Sequence, residues 1–248
     1  MLCKAFKKLK KYLKRFRMSR NLNKEIKMKK NFLKIRIVLI LFALLIFAGS
    51  ISVSASAGFY FNGGYKLVSN KGAALTCETQ NPYITSNGSS SAWAMTCNPP
   101  DQNYAQVGWA KDPGFTAPKY FWEYNSVVTS KFGQEYLATA QSGSHNDFMV
   151  GSDSTTMYFK INGDVKKTLP LSDLGWTPDA VEFFGETHDT GDQCPGSVSN
   201  PVTMGNAQYK TTSGSWVSAG VTEYHNLSTM DNNIDTGDTT WEIWDTRY

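Results

Sequence analysis

The stretch "TMYFKINGDVKKTL", Thr156–Leu169, decides the fold class. Met157, Phe159 and Ile161 alternate with Tyr158 and Lys160. That period of two sends alternate side chains to opposite sides of a strand. Asn162-Gly163-Asp164 then supplies the turn, so the segment predicts a β-hairpin. Working outward, similar short runs recur in "YAQVGWA" (Tyr104–Ala110), "KYFWEYN" (Lys119–Asn125), "EYLATAQ" (Glu135–Gln141) and "NDFMVGS" (Asn146–Ser152). Others are "AVEFFGETH" (from Ala180), "NAQYKT" (Asn206–Thr211) and "TTWEIWDT" (Thr239–Thr246). Stretches rich in Gly, Pro, Asn, Asp and Ser separate them. Many short strands between turn signals predict an all-β sandwich or barrel, and no long internal repeat suggests a solenoid or propeller.

The chain has 248 residues, and residues 1–57 read differently from the rest. A basic start precedes an uncharged apolar run from Ile37 to Ala48, and small residues end in Ala55-x-Ala57. This is the layout of a secretory signal peptide cleaved after Ala57. The apolar run is shorter than the roughly 20 residues of a membrane span. Upstream, Leu2, Phe6, Leu9, Leu13 and Phe16 recur at helical spacing among lysines. Either this is a membrane-surface helix, or the start is placed too early, since Met18 or Met28 would each open an ordinary signal peptide. The expected organisation is a leader over 1–57 and one β domain over 58–248, secreted, with membrane contact only through the leader.

Removing the leader reverses the charge. The whole chain is formally +4, but residues 58–248 hold ten basic against twenty acidic residues, a net of −10. An acidic domain lacks the clustered Lys and Arg that phosphate binding needs, so no nucleic-acid partner is expected. Cys77 and Cys97 bracket a Gly/Ser/Asn-rich stretch and are the natural disulfide pair in an exported chain, leaving Cys194 odd. No CxxC, G-x-S-x-G, Walker A loop, H-E-x-x-H or dinucleotide fingerprint occurs. "DNNIDTGD" (Asp231–Asp238) alternates oxygen ligands, but its glycine is misplaced for a calcium loop and it reads as a polar turn. No metal and no cofactor are expected.

Carboxylates are the better-supplied chemistry. In "AVEFFGETHD", Ala180–Asp189, strand alternation puts Glu182, Phe184, Glu186 and His188 on one face and Val181, Phe183 and Thr187 on the other. Glu182 and Glu186 are about 13 Å apart along an extended strand, so they cannot pair with each other. A catalytic partner must come from another strand. His188 reads as a bystander or a substrate contact. Tyr120, Trp122 and Tyr124 share one side of their strand and Phe121 takes the other. Such a stripe is either sandwich core or a face that holds an extended ligand.

Three segments carry a resemblance. "YAQVGWAKDPGF", "VEFFGETHDTGDQCPG" and "NAQYKTTSGSW", within Tyr104–Trp216, resemble the secreted glutamic-peptidase-like domains of the neprosin and eqolisin type. The resemblance implies a lectin-like sandwich of two antiparallel sheets and metal-free acid endopeptidase chemistry. It places the catalytic glutamate on Glu186, with Glu182 as the fallback, and the partner on Gln106, which suits a glutamine–glutamate dyad. Phe183 and Phe184 depart from the family's tryptophan and glycine. Trp109, Tyr120, Trp122, Tyr124, Phe184 and His188 are then the candidate substrate contacts. The expected activity is acid endopeptidase on a polypeptide outside the cell. The alternative is a non-catalytic sandwich that binds glycan or peptide on its aromatic face.

Overall fold

A computed structural model describes residues 58–99 and 102–248. The leader and signal peptide read over 1–57 lie outside the described residues. The strands in chain order are β1 (Tyr60–Leu67), β2 (Gly72–Glu78), β3 (Ser90–Asn98), β4 (Asn103–Lys111), β5 (Lys119–Ser126), β6 (Lys131–Thr139) and β7 (His145–Ser152). They continue as β8 (Thr156–Ile161), β9 (Asp164–Pro170), β10 (Ala180–Thr187), β11 (Val202–Lys210), β12 (Trp216–Ser218), β13 (Thr222–His225), β14 (Met230–Asn232) and β15 (Trp241–Asp245). One short helix, α1 (Leu171–Leu174), separates β9 from β10.

Two antiparallel sheets form a sandwich. One has the order β13-β1-β10-β3-β4-β5-β6, and the other β14-β15-β11-β2-β7-β8-β9 with β12 added beside β11. The β8–β9 hairpin turns at Asn162 and Gly163, both with positive φ (52° and 84°), as a tight turn between twisted strands requires. Val107, Trp109, Trp122, Val181 and Phe183 from the first sheet meet Leu75, Phe148, Phe159, Met204 and Ile243 from the second in one dry core. Burial of this apolar surface is the main force holding the sheets together.

The first sheet is loaded on both faces. Its outer face carries a second cluster of Trp93, Ala110, Phe121 and Phe184, flanked by Phe61, Tyr65, Met95, Tyr136 and Tyr224. This corrects the expected aromatic face. Trp122 and Tyr124 belong to the inter-sheet core, stacked with centroids 6.4 Å apart. Tyr120 packs against that core and donates its hydroxyl to Asn146 of the opposite sheet at 2.8 Å. Trp109 is wholly buried there, its Nε1 donating to the Glu78 carbonyl at 3.0 Å. None of these four can touch a ligand on the outer face.

The disulfide is also corrected: Cys77, Cys97 and Cys194 are all buried free thiols. Cys77 points between the sheets with Ala73 and Leu75. Cys97 keeps the parity of Trp93 and Met95 along an unbulged strand and so points to the outer face. The two lie on opposite sides of the first sheet, where no rotamer brings their sulfurs together. Cys194 is fixed by its backbone N–H on Asp245 Oδ2 at 3.1 Å. Burial pushes the Cys77 thiol up to about 12 and raises those of Cys97 and Cys194 as well, so none is a ready nucleophile. Two outcomes follow. Reductant leaves the unfolding midpoint unchanged, and a thiol reagent labels these three cysteines only after denaturation. Trp122→Ala costs about 3–5 kcal/mol in chemical denaturation, as truncation of a core tryptophan does.

Candidate active site

The unbroken register across β10, β3, β4 and β5 sets out the outer face in rows. One row reads Glu182, Met95, Gln106, Glu123. The next reads Phe184, Trp93, Gly108, Phe121, and the third Glu186, Ser91, Ala110, Lys119. Gln106 and Glu186 therefore share a face, in rows on either side of Gly108. A Cβ at Gly108 would come within 2.1 Å of the Ala92 carbonyl oxygen and 2.8 Å of Trp93 Cβ. The bare backbone lets β3 close on β4 and leaves β4 without bulk between Gln106 and Ala110.

Glu186 is nearly buried, and both carboxylate oxygens are engaged. Trp93 Nε1 donates to Oε2 at 2.7 Å, and His188 Nε2 lies 2.9 Å from Oε1. Each oxygen keeps a further lone pair for a water or a substrate proton. His188 is thus a direct partner of Glu186 rather than a bystander. Its wall is built by the loop after β10, where buried Asp192 accepts from the backbone N–H groups of Thr85 (2.8 Å) and Ser89 (2.9 Å). Arg247 ties that loop down through the Asp192 carbonyl.

Glu182 has a different environment. Burial is the first cause that lifts its carboxyl, to about 7; the Cys97 thiol opposes this and the charge of Glu186 adds to it. Glu182 is consequently neutral in acid, when Glu186 has N–H donors aimed at it. Glu123, beside Gln106, is also raised by burial and by Glu186 and Asp112, against the Tyr104 hydroxyl and His188. It accepts hydrogen bonds from the Tyr104 hydroxyl and from Gln134 Nε2 (2.7 Å). Asp112 accepts from Tyr136 and, at 2.7 Å, from Ser89. Polar side chains from three rows therefore influence one another's charge over the Trp93–Gly108–Phe121 row.

Of the sequence candidates, Gln106, Glu182, Glu186, Phe184 and His188 come together on this face. Trp93, Glu123, Tyr104, Tyr136 and Asp112 were not among them. Glu123 was legible as the partner of Phe121 in "FWEY", because both alternate against the core stripe. Trp93 was hidden because β3, "SSAWAMTCN", is made of small residues and was read into the Cys77–Cys97 loop.

The fold has known counterparts. Scytalido-glutamic peptidase, solved with a peptide-based transition-state analogue, matches with a TM-score of 0.59 at 13% identity, over 78% of this chain and 100% of that one. SCP-B, a member of the eqolisin family solved with the tripeptide Ala-Ile-His, matches with a TM-score of 0.56 at 12% identity, over 78% and 100%. No family model matches the chain, and no curated protein matches it by sequence. The architecture is therefore a glutamic-peptidase-like β-sandwich.

The rise of Glu182 has a stability consequence. A carboxyl that titrates higher folded than unfolded binds protons more tightly in the native state. Its contribution is present below the unfolded value near 4.3 and is lost as pH rises towards 7. Unfolding free energy should fall by on the order of 2 kcal/mol between about pH 4.5 and 7. Glu182→Gln should flatten that fall; an unchanged slope in the variant would show that Glu182 is not its source.

Proposed function

We propose that this protein is an acid endopeptidase of the glutamic type, with Glu186 as general base and Gln106, two strands away on the same face, acting on the bound substrate rather than on Glu186 itself. The observation that carries the reading is the environment of Glu186: a nearly buried carboxylate, clamped by Trp93 and His188, on the same open face as Gln106. In the proposed reaction Glu186 takes a proton from water as the oxygen adds to the scissile carbonyl carbon. The Gln106 amide donates to the developing oxyanion. Glu186 then passes its proton to the leaving nitrogen as the C–N bond breaks, which restores the carboxylate. Glu182 suits the base role less well, because below about pH 7 it already holds a proton. Phe184, expected as a substrate contact, is buried with Trp93 and Phe121, and the partly buried Phe61, Tyr65, Met95, Tyr136 and Tyr224 around them would meet the peptide. With residues 1–57 removed at export, the substrate would be a polypeptide outside the cell.

The glycan-binding alternative rested on Tyr120, Trp122 and Tyr124, which the core now absorbs. Incubation with denatured protein at about pH 3–4, where a glutamate base is partly ionised, is the direct test. Cleavage is expected. Glu186→Gln should lower kcat/KM by about 10²–10⁴ and Gln106→Ala by about 10²–10³. Cleavage that survives Glu186→Gln would remove the assignment.

A further inference from the structure

His188 is the only imidazole on the described outer face that touches Glu186, and its placement is tightly held. Its backbone N–H donates to the Ser89 carbonyl and its carbonyl accepts from Gly58, both at 3.2 Å. The ring stands edge-on to Phe59 with centroids 4.8 Å apart. Its Nε2 meets Glu186 Oε1 at 2.9 Å, while its side chain remains 43% exposed and can exchange protons with solvent. The charged groups that act on it are Glu186 on β10, Asp112 beyond β4 and Asp192 in the loop after β10, with Glu123 on β5 coupled to it. All four are carboxylates.

We propose that His188 is a positioning residue that, as an imidazolium in contact with Oε1, holds the Glu186 carboxylate in one rotamer and is needed for activity at the acid end of the pH range. This rests on the reading of Glu186 as general base. A cation in contact with a carboxylate favours the charged form, and a fixed hydrogen bond on Oε1 holds the group in one orientation. Burial opposes the imidazolium, but the hydrogen bond and charge of Glu186, with Asp112 and Asp192, outweigh it and raise His188 above its ordinary value. His188 therefore stays charged throughout the acid range and keeps an N–H for Glu186 there.

The test has two arms on the full chain. In the first, pH profiles of kcat/KM are measured for the wild type, His188→Gln and His188→Phe. Gln keeps a hydrogen-bond donor without charge. The acid limb should move up by about one pH unit in both variants, so that on the limb kcat/KM falls about tenfold, while KM at the optimum changes little. His188→Arg, which restores a cation, should move the limb back towards wild type. An acid limb unmoved in Gln and Phe variants, with Glu186→Gln inactive, would overturn the role of His188 and leave the peptidase reading standing. The second arm needs no activity: His188 is titrated by NMR in the wild type and in Glu186→Gln. Its midpoint should drop in the variant, and a midpoint that does not move would overturn the pairing. No cleavage by the wild type at any pH would instead remove the peptidase reading, with the titration still deciding the pair.

Discussion

The outer face depends on one constraint: β10, β3, β4 and β5 pair without a single slip. A one-residue shift in any of these strands would send its whole set of side chains to the other face. Val181 and Phe183 would leave the dry core, and Glu182 and Glu186 would enter it unpaired, at a cost no packing could offset. Irregularities do occur in the sandwich, between Gly205 and Gln208 on β11, between Phe159 and Lys160 on β8, and where β5 meets β6. Two of them lie in the other sheet, and the third is on the side of β5 that faces β6, so the pairings among the four strands stay unbroken. The registers that hold the polar rows in place are the regular ones.

Much of this architecture was legible in the chain. The Thr156–Leu169 hairpin, the strands from Tyr104 and Ala180, and the split of Glu182 and Glu186 from Val181 and Phe183 all follow from alternation. What alternation cannot supply is which of two faces is the core when both carry large aromatics. Lys119–Asn125 has tyrosine and tryptophan on one side and Phe121 on the other, and only the partner sheet decides between them. That is why Tyr120, Trp122 and Tyr124 were placed on the ligand side, and why Phe121 and Glu123 were overlooked. The strands of small residues failed for another reason. β1 holds Gly63 and Gly64 where the Phe183 carbonyl, the Phe184 ring and Val221 leave no room for a side chain, and β3 is rich in Ala and Ser, so both lack the β-branched signature of a strand. Cysteine positions misled because closeness in sequence says nothing about which side of a sheet a sulfur points to.

The electrostatics of the outer face divide its carboxylates by surroundings rather than by type. Glu182 lies against a thiol and keeps its proton; Glu186 lies against an indole N–H and an imidazole. Two acids four residues apart on one strand thus meet different surroundings, and only Glu182 is lifted by its own. Asp112 and Glu123 are capped by tyrosines whose own hydroxyls burial raises, so these phenols act as fixed donors across the acid and neutral range.

The pairing scheme also shapes how the molecule assembles. Leu67 of β1 must find Ala180 of β10, and Ala73 of β2 must find Tyr209 of β11. The first two strands each wait for a neighbour encoded more than a hundred residues later, and no disulfide among the described residues holds them in place meanwhile. Loop closure over such distances is slow, and the waiting strands expose apolar edges. The nascent chain therefore carries its greatest risk of misassociation before β10 and β11 emerge, and completion of synthesis, rather than oxidation, is the event that commits the two sheets to each other.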